Sequence, residues 1–194
     1  MAARLPAPRR RRQLLDVAVD VFGESGYHQV SMDAVAEAAG VTKPVLYQHF
    51  ASKRELYLEL LTDVGEQLRE AVVSATSAAD HPHVRVEAGF RAYFRFVAEH
   101  VNAFRLLFGG GLEPDEEFAA IAKRVEEAMA DTVASLIDAD LDAEHRQVLA
   151  HGVIGLAEAT SRFWIGQGLG LDPDRLAGRV AELAWAGLRG VRRD

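Results

Sequence analysis

The sequence predicts an all-α fold with a small N-terminal three-helix domain and a larger helical C-terminal domain. Apolar residues recur at three- and four-residue spacing through most of the 194 residues. Ser, Thr or Asp stands where several of these runs begin, and Gly or Pro stands where they end. No run alternates apolar and polar residues as a half-buried strand does, and no internal repeat appears.

The most informative stretch is residues 31–57, SMDAVAEAAGVTKPVLYQHFASKRELY. Its first run predicts a short amphipathic helix, because Ser31 can cap its first turn and Gly40 suits the left-handed turn that ends it. The apolar side chains that share one face of this helix are Met32, Val35, Ala36 and Ala39.

A second helix is expected after the turn, with Thr42 as its N-cap and Pro44 in its first turn. Leu46 and Phe50 are four residues apart and must face inward. That orientation exposes cationic, polar and aromatic side chains, namely Lys43, Tyr47, Gln48 and His49. Two short helices, a glycine turn and this outward face are the plan of a helix-turn-helix. We therefore expect the chain to bind double-stranded DNA.

Residues 52–55 form a capping box, which predicts a third helix with Leu56, Leu60 and Val64 on its inner stripe. The N-terminus of this helix carries a partial positive charge that can hold a phosphate. We expect this helix to run from Ser52 to about Ala75 and to join the two domains.

The recognition helix of such a motif enters the major groove by its N-terminal end, so Thr42, Lys43 and Pro44 are nearest the bases. Lysine can donate to guanine, and proline offers an apolar surface to a thymine methyl group. Side chains further along suit phosphate oxygens. Alternatively, Tyr47 packs partly into the core and the lysines are merely solvated. The predicted DNA-binding set is Ser31, Thr42, Lys43, Pro44, Tyr47, Gln48, His49 and Lys53.

Residues 10–61 resemble the N-terminal domain of the TetR family of bacterial transcriptional regulators. The segments that carry the resemblance are Leu14–Phe22, Gly26–Tyr27, Ser31–Ala36, Ala39–Thr42, Leu46–Phe50 and Ser52–Leu56. The resemblance implies a three-helix DNA-binding domain, a larger helical domain, homodimerisation, and usually repression that a small ligand relieves. It also implies that Tyr47 and Lys53 touch phosphates. Pro44 departs from the small residue or glycine often found at its position, which leaves the base preference open.

A looser similarity concerns the actinobacterial TetR-type regulators of fatty-acid synthesis. It rests on Lys43–Phe50, Arg105–Phe108 and Ala184–Leu188. That similarity implies a long-chain acyl-coenzyme A as effector, and some of those regulators activate transcription.

Charge is divided unevenly along the chain, whose net charge is −7. Residues 1–54 hold eight Lys/Arg against five Asp/Glu, and the rest hold fourteen against twenty-four. The positive charge therefore coincides with the helix-turn-helix, as expected for a DNA binder. Arg9–Arg12 suggest a flexible basic arm that reaches DNA, although a solvated tail is equally compatible. The chain has no cysteine, no signal-peptide pattern and no long apolar run, so we expect a cytoplasmic protein.

We expect three regions: a flexible basic arm (1–9), a DNA-binding domain (10–56), and a helical effector-binding and dimerisation domain (57–194). The C-terminal region predicts helices over about 86–100, 102–108, 114–141, 143–166 and 173–191.

Aromatic and aliphatic residues of the larger domain form a candidate effector pocket, although each could equally be ordinary core. A ligand pocket needs an apolar lining with a few polar groups, and the scarcity of polar groups on these faces favours a hydrophobic effector. The candidate lining is Phe90, Phe94, Val97, Phe104, Phe108, Phe118, Ile121, Val125 and Trp164.

The last two predicted helices are candidates for a homodimer seam, because both are rich in Gly and Ala. A dimer would pair two recognition helices across a palindrome about 34 Å apart. A ligand that tilts the helix between the domains would change that separation.

Enzyme chemistry has little support in the sequence. His81-Pro82-His83 could bind a metal only weakly without a third ligand, and no phosphate-binding loop or nucleophile elbow is present. We expect no catalytic residues, no metal and no cofactor. The alternative to a regulator is a helical ligand-binding or scaffold protein without specific DNA readout.

Overall fold

The computed structural model describes residues 6–108, 115–137, 140–168 and 170–191. All regular structure within these residues is helical, as predicted. In chain order the helices are α1 (Ala7–Gln29), α2 (Met32–Ala38), α3 (Lys43–Tyr47), α4 (Lys53–Ser77), α5 (Pro82–Glu99), α6 (Val101–Phe108), α7 (Glu116–Leu136), α8 (Ala143–Gly166) and α9 (Pro173–Leu188).

The helices belong to two compact units. Unit 1 is drawn from Met1–Val64 and Asn102–Ala122, and unit 2 from Gly65–Val101 and Lys123–Asp194. Helices α4 and α7 contribute to both units. Unit 1 is discontinuous in the chain, because α6 and the start of α7 pack with the N-terminal helices.

Helix α1 begins earlier than expected and includes residues 7–9 of the predicted arm. It starts at Ala7, so Arg9 is helical, whereas residues 1–5 lie outside the described residues. Arg11 pairs with Glu59 of α4, and Arg12 donates to Asp63 of α4 over 2.6 Å. These ion pairs hold the basic segment against α4, so Arg11 and Arg12 do not belong to a free arm.

The predicted inner faces of α2, α3 and α4 are all buried. Leu46 and Phe50 have no exposed surface, and the α4 stripe of Leu56, Leu60 and Val64 is at most 1% exposed. The predicted capping box is present: the Ser52 hydroxyl accepts from the Glu55 amide at 3.0 Å. The Glu55 carboxylate accepts from the amide of Ala51, one residue before the usual partner, at 2.7 Å.

Unit 2 is built around α5, which packs against both α8 and α9. Helix α5 begins at Pro82 rather than near residue 86, because His81 is in extended backbone and proline fits the first turn. Helix α7 ends at Leu136 rather than near residue 141. Its expected start at Pro114 lies outside the described residues. Within residues 6–108, 115–137, 140–168 and 170–191, none of the helices has the length and apolarity needed to cross a bilayer.

Candidate nucleic-acid interface

The turn between α2 and α3 is fixed by local backbone geometry. The Ser31 hydroxyl accepts from the Ala34 amide at 3.1 Å and caps α2. Gly40 has a φ of +64°, the left-handed conformation predicted for it, and a side chain there would be strained. The Val41 amide then donates to the Ala36 carbonyl at 2.9 Å, which closes the turn. These contacts set the direction in which α3 leaves the turn.

The N-terminal end of α3 presents an exposed row of side chains. Thr42, Lys43 and Pro44 are all exposed, and Tyr47 is 43% exposed one turn later. Thr42 occupies the predicted N-cap position, but its hydroxyl makes no capping hydrogen bond. Its carbonyl instead accepts from the Val45 amide at 2.9 Å. The Thr42 hydroxyl is therefore available to a base edge or a phosphate.

Lys43 is paired with an acidic residue of the neighbouring helix. Its Nζ donates to Asp33 Oδ2 of α2 over 2.9 Å, and half of each side chain or more remains exposed. This hydrogen bond raises the pKa of the Lys43 ammonium above its ordinary value. A DNA contact made by Lys43 would therefore have to replace its bond to Asp33, a partner that was not predicted from the sequence.

Lys53 has a structural role that the sequence did not reveal. Its Nζ donates to the carbonyls of Tyr27 and Val30, each at 2.8 Å, and lies 4.3 Å from the centre of the Tyr27 ring. Gly26, with a φ of +77°, breaks α1 just before these carbonyls. An ammonium carries three protons, so two fix the end of α1 and one remains for a phosphate. Lys53 therefore has a structural role in addition to the phosphate contact that is predicted for it.

The remaining predicted DNA contacts lie at the end of α3. Gln48 is exposed at its C-cap, and His49 is half-buried. The His49 carbonyl accepts from the Arg11 guanidinium, which also stacks on the Phe50 ring at 4.3 Å. Ser31 is exposed at the start of α2. All eight predicted residues thus lie on the helix-turn-helix or next to it. Among them, Lys53 makes two hydrogen bonds to the backbone at the end of α1.

The predicted effector-pocket residues are divided between the two units. Phe90, Phe94, Val97, Val125 and Trp164 belong to unit 2, whereas Phe104, Phe108, Phe118 and Ile121 belong to unit 1. The Phe118 ring packs on Tyr57 at 4.8 Å and on Tyr27 at 4.9 Å between centroids. Phe118 therefore packs in the core of unit 1, the alternative that the sequence left open for each of these residues.

Three buried polar atoms of unit 2 were not predicted from the sequence, where few polar groups are expected on these faces. Tyr93 on α5 is 7% exposed and Ser161 on α8 has no exposed surface. Their hydroxyls, together with the indole nitrogen of Trp164, are buried without a hydrogen-bond partner among the described residues. A serine inside an apolar helical run is the only sequence signal that pointed to this cluster.

A separate groove of about 410 Å³ lies where α7 ends and α8 begins. It is lined by residues that were not predicted, among them Ile137, Arg146 and Gln147. His83, one of the two loop histidines considered for metal binding, lies with its ring 5.2 Å from that of Trp185. Among the residues that the structure describes, no three His, Asp or Glu side chains are grouped closely enough to hold a metal ion.

Residues 14–60 match the family described as bacterial regulatory proteins, tetR family, and residues 82–187 match the tetracyclin repressor-like C-terminal domain. The HTH-type transcriptional activator FasR of Mycolicibacterium smegmatis is 36% identical over 190 residues, which cover 97% of this chain and 87% of the relative.

Solved structures share the fold over nearly the whole chain. A TetR-like regulator from Rhodococcus sp. RHA1 superimposes with a TM-score of 0.78 at 28% identity, covering 97% of this chain and 100% of that one. FadR of Bacillus subtilis, solved in complex with stearoyl-CoA, has a TM-score of 0.78 at 18% identity, covering 93% and 99%. At that identity it shares the fold alone. Because both of its domains match TetR-family models and FasR is 36% identical over nearly the whole chain, the chain belongs to the TetR family and is a DNA-binding transcriptional regulator.

Proposed function

We propose that this regulator recognises a specific operator by placing α3 in the major groove. The main support is a row of exposed side chains on α3, a helix whose preceding turn is fixed by backbone hydrogen bonds and by Gly40. The row consists of Thr42, Lys43, Pro44 and Tyr47. Lys43 has the reach and the protons to read a guanine, and Pro44 offers apolar contact to a thymine methyl group. Tyr47, His49 and the third proton of Lys53 would contact phosphates and set the register.

We propose a homodimer in which α8 and α9 form the seam. On α8, Val148, Gly152, Gly155, Ala159 and Phe163 recur at three- and four-residue spacing, and all are exposed. Val148 is 65% and Phe163 60% exposed, which is unusual for such large apolar side chains. A Cβ added at either glycine would meet no atom within 4 Å, so this face is open to a close partner helix.

Helix α9 supports the same seam. Its Leu183 is 63% exposed, and Ala186 and Gly187 beside it are also exposed, whereas Ala177 and Ala181 face the interior. Two copies related by a twofold axis would bury both stripes and present two copies of α3 to one face of a palindromic operator.

The effector in this proposal is a hydrophobic molecule of the acyl class that binds in unit 2. Three apolar side chains of α5 are at most 4% exposed and support a site for a hydrocarbon, namely Phe90, Phe94 and Val97. The stearoyl-CoA bound to FadR is compatible with such a ligand in this fold. The ligand would act by favouring one orientation of α4, which runs through both units.

Whether the regulator represses or activates depends on where its operator lies relative to the promoter. We propose repression that the ligand relieves. Activation is the second candidate, because the FasR relative is an activator by name. A transcription assay on the regulated promoter separates the two: the regulator lowers transcript yield if it represses and raises it if it activates. In either role the chain works on the bacterial chromosome, which places it in the cytoplasm, and it needs no catalytic activity.

Two of the three lysines of the chain, Lys43 and Lys123, provide a matched pair for testing operator recognition. We expect Lys43→Ala and Tyr47→Ala to weaken operator binding at least tenfold while dimerisation and ligand binding persist. Lys123→Ala, at an exposed site on α7, should bind the operator like the parent protein. If Lys43→Ala and Tyr47→Ala bind DNA like the parent, the alternative of a helical ligand-binding or scaffold protein without specific DNA readout is favoured.

A further inference from the structure

Unit 2 contains three buried polar atoms on α5 and α8 that make no regular hydrogen bond among the described residues, and they are called the polar cluster below. Tyr93 of α5 faces α8, where Ser161 and Trp164 are three residues apart and so lie on one side of the helix. Burial raises the pKa of the Tyr93 phenol, and a hydrogen-bond interaction with the Ser161 hydroxyl opposes that rise, so the two hydroxyls are neighbours although they do not form a regular hydrogen bond. The Phe94 ring, next in sequence to Tyr93, meets the Trp164 ring edge-on at 6.4 Å.

The cluster has more protons to donate than atoms to accept them. Tyr93, Ser161 and Trp164 carry two hydroxyl protons and one indole proton, against two oxygen acceptors. A hydrogen bond between the two hydroxyls would use one proton and leave two without an acceptor. Buried donors without acceptors destabilise a protein, so natural cores rarely contain several together. The cluster is therefore complementary to a hydrogen-bond acceptor from outside the chain.

The surroundings indicate what kind of acceptor fits. Glu158, one turn before Ser161 on α8, has a side chain only 16% exposed, and burial raises the pKa of its carboxyl group. Glu126 of α7 acts in the same direction, and Arg162, 3.5 Å from Glu158, opposes it. An anionic ligand group would add a third negative charge beside a single arginine. A neutral oxygen avoids that repulsion.

We propose that Tyr93, Ser161 and Trp164 form the polar recognition point of the ligand site and donate hydrogen bonds to a neutral carbonyl oxygen of an otherwise apolar ligand. This inference rests on the proposed binding of a hydrophobic effector in unit 2. A carbonyl oxygen accepts two hydrogen bonds, and the third proton can then join the two hydroxyls. Acyl thioesters, esters and ketones share this chemistry, whereas a free fatty acid at neutral pH does not.

The test compares ligands of equal chain length on the full chain by titration calorimetry. Hexadecanoyl-CoA has the thioester carbonyl, and S-hexadecyl-CoA lacks it; methyl hexadecanoate is neutral, and hexadecanoate is charged. We expect the thioester to bind roughly three- to tenfold more tightly than the thioether, the size of one to two hydrogen bonds. The methyl ester should bind more tightly than the free acid. A thioether that binds as well as the thioester overturns the proposal.

Variants then locate the carbonyl. Tyr93→Phe and Ser161→Ala should bring the ratio of thioether to thioester dissociation constants close to one. Tyr57→Phe, which removes a buried tyrosine hydroxyl from unit 1, should leave that ratio unchanged. If Tyr93→Phe and Ser161→Ala both retain the parent ratio, the carbonyl is bound elsewhere and the proposal fails.

The ligand-free protein gives a second readout. Because the ligand-free cluster has more donors than acceptors, Tyr93→Phe should lose at most the one hydrogen bond that Tyr93 and Ser161 can share, while the ligand-induced rise in Tm falls. A ligand-induced rise in Tm that Tyr93→Phe leaves unchanged would contradict the proposal. Operator binding by the same preparations separates the two claims. If no probe binds while operator binding persists, the ligand assignment fails and the regulator remains.

Discussion

Lys43, at the start of the recognition helix, is held by Asp33 of α2, with 2.9 Å between Nζ and Oδ2. The most important cation of the proposed interface is thus already paired before DNA arrives. Both side chains are largely exposed, so the pair can exchange for a contact with a base or a phosphate at small cost.

We expect Asp33→Asn to tighten DNA binding roughly two- to fivefold, because it frees Lys43 and removes a negative charge near the phosphates. The salt dependence of binding should steepen as one more cation engages the backbone. Glu37→Gln removes an exposed acid of the same helix without freeing Lys43 and should have a smaller effect. Weaker operator binding by Asp33→Asn would show that Asp33 positions Lys43 for its contact rather than competing for it.

Lys53→Met should destabilise the protein by about 2 kcal/mol, because hydrogen bonds from a charged donor to the Tyr27 and Val30 carbonyls are lost. Denaturant unfolding measures this change, with Lys123→Met as the control at an exposed site. DNA binding should also weaken. If Lys53→Met lowers DNA affinity and leaves the free energy of unfolding unchanged, Lys53 acts only on phosphates, and its bonds to the Tyr27 and Val30 carbonyls do not stabilise the fold.

Gly65 permits a close crossing of α4 and α7. A Cβ on Gly65 would stand 2.6 Å from both methyl carbons of Val125, too close for either helix to remain in place. Gly65→Ala should therefore cost about 1–3 kcal/mol of stability, as overpacking of a core does. Val125→Ala should restore much of that loss in the double variant. Additive losses in the double-mutant cycle would contradict the crossing.

The Arg54 guanidinium hydrogen-bonds Asp115 at the start of α7 and holds the pKa of that carboxyl group at about 2. An acid whose pKa is lowered by folding stabilises the protein above its unfolded pKa, and the contribution disappears as pH falls toward 2. The stability difference between the parent and Asp115→Asn should therefore be constant near neutral pH and vanish between about pH 4 and 2. Denaturant midpoints across pH measure it, with Glu116→Gln as the control. A difference that persists unchanged at pH 2 would refute the ion pair.

Glu158 should behave in the opposite sense, because burial raises the pKa of its carboxyl group. Folding then favours the protonated form, and stability falls as pH rises through this pKa. Glu158→Gln should be more stable than the parent at neutral pH, and the gain should shrink as pH falls toward 4. Melting temperatures over this range measure the effect, and Glu182→Gln at an exposed site of α9 should show no such trend. A Glu158→Gln protein that is less stable at neutral pH would mean that the pair with Arg162 dominates.

Local sequence signals predicted the helix-turn-helix well because its determinants are local. Ser31, Gly40 and Ser52 act on backbone atoms within a few residues, and the inward direction of Leu46 and Phe50 follows from helical spacing. The bounds of α8 were predicted for the same reason, since Asp142 caps its first turn through the His145 amide at 2.7 Å.

The features that escaped prediction depend on residues distant in the chain. Lys53 finds its partners 23 and 26 residues away, and Phe118 joins the N-terminal core through Tyr57, on another helix. The periodicity of α7 shows that Phe118 is buried but not which unit buries it. The unpartnered atoms of Tyr93 and Ser161 could not be predicted either, because satisfaction of a polar group depends on the packing of two helices.

Sequence-specific DNA binding through α3 can be measured by a salt titration of the full chain, followed by fluorescence anisotropy. The probe is its own upstream intergenic DNA, with a scrambled duplex of equal length as the reference. We expect tight binding of two chains to the native fragment alone, weakening steeply with salt as phosphate counterions are displaced. Equally weak binding to both duplexes would contradict operator recognition at that locus and would favour a ligand-binding protein without specific DNA readout.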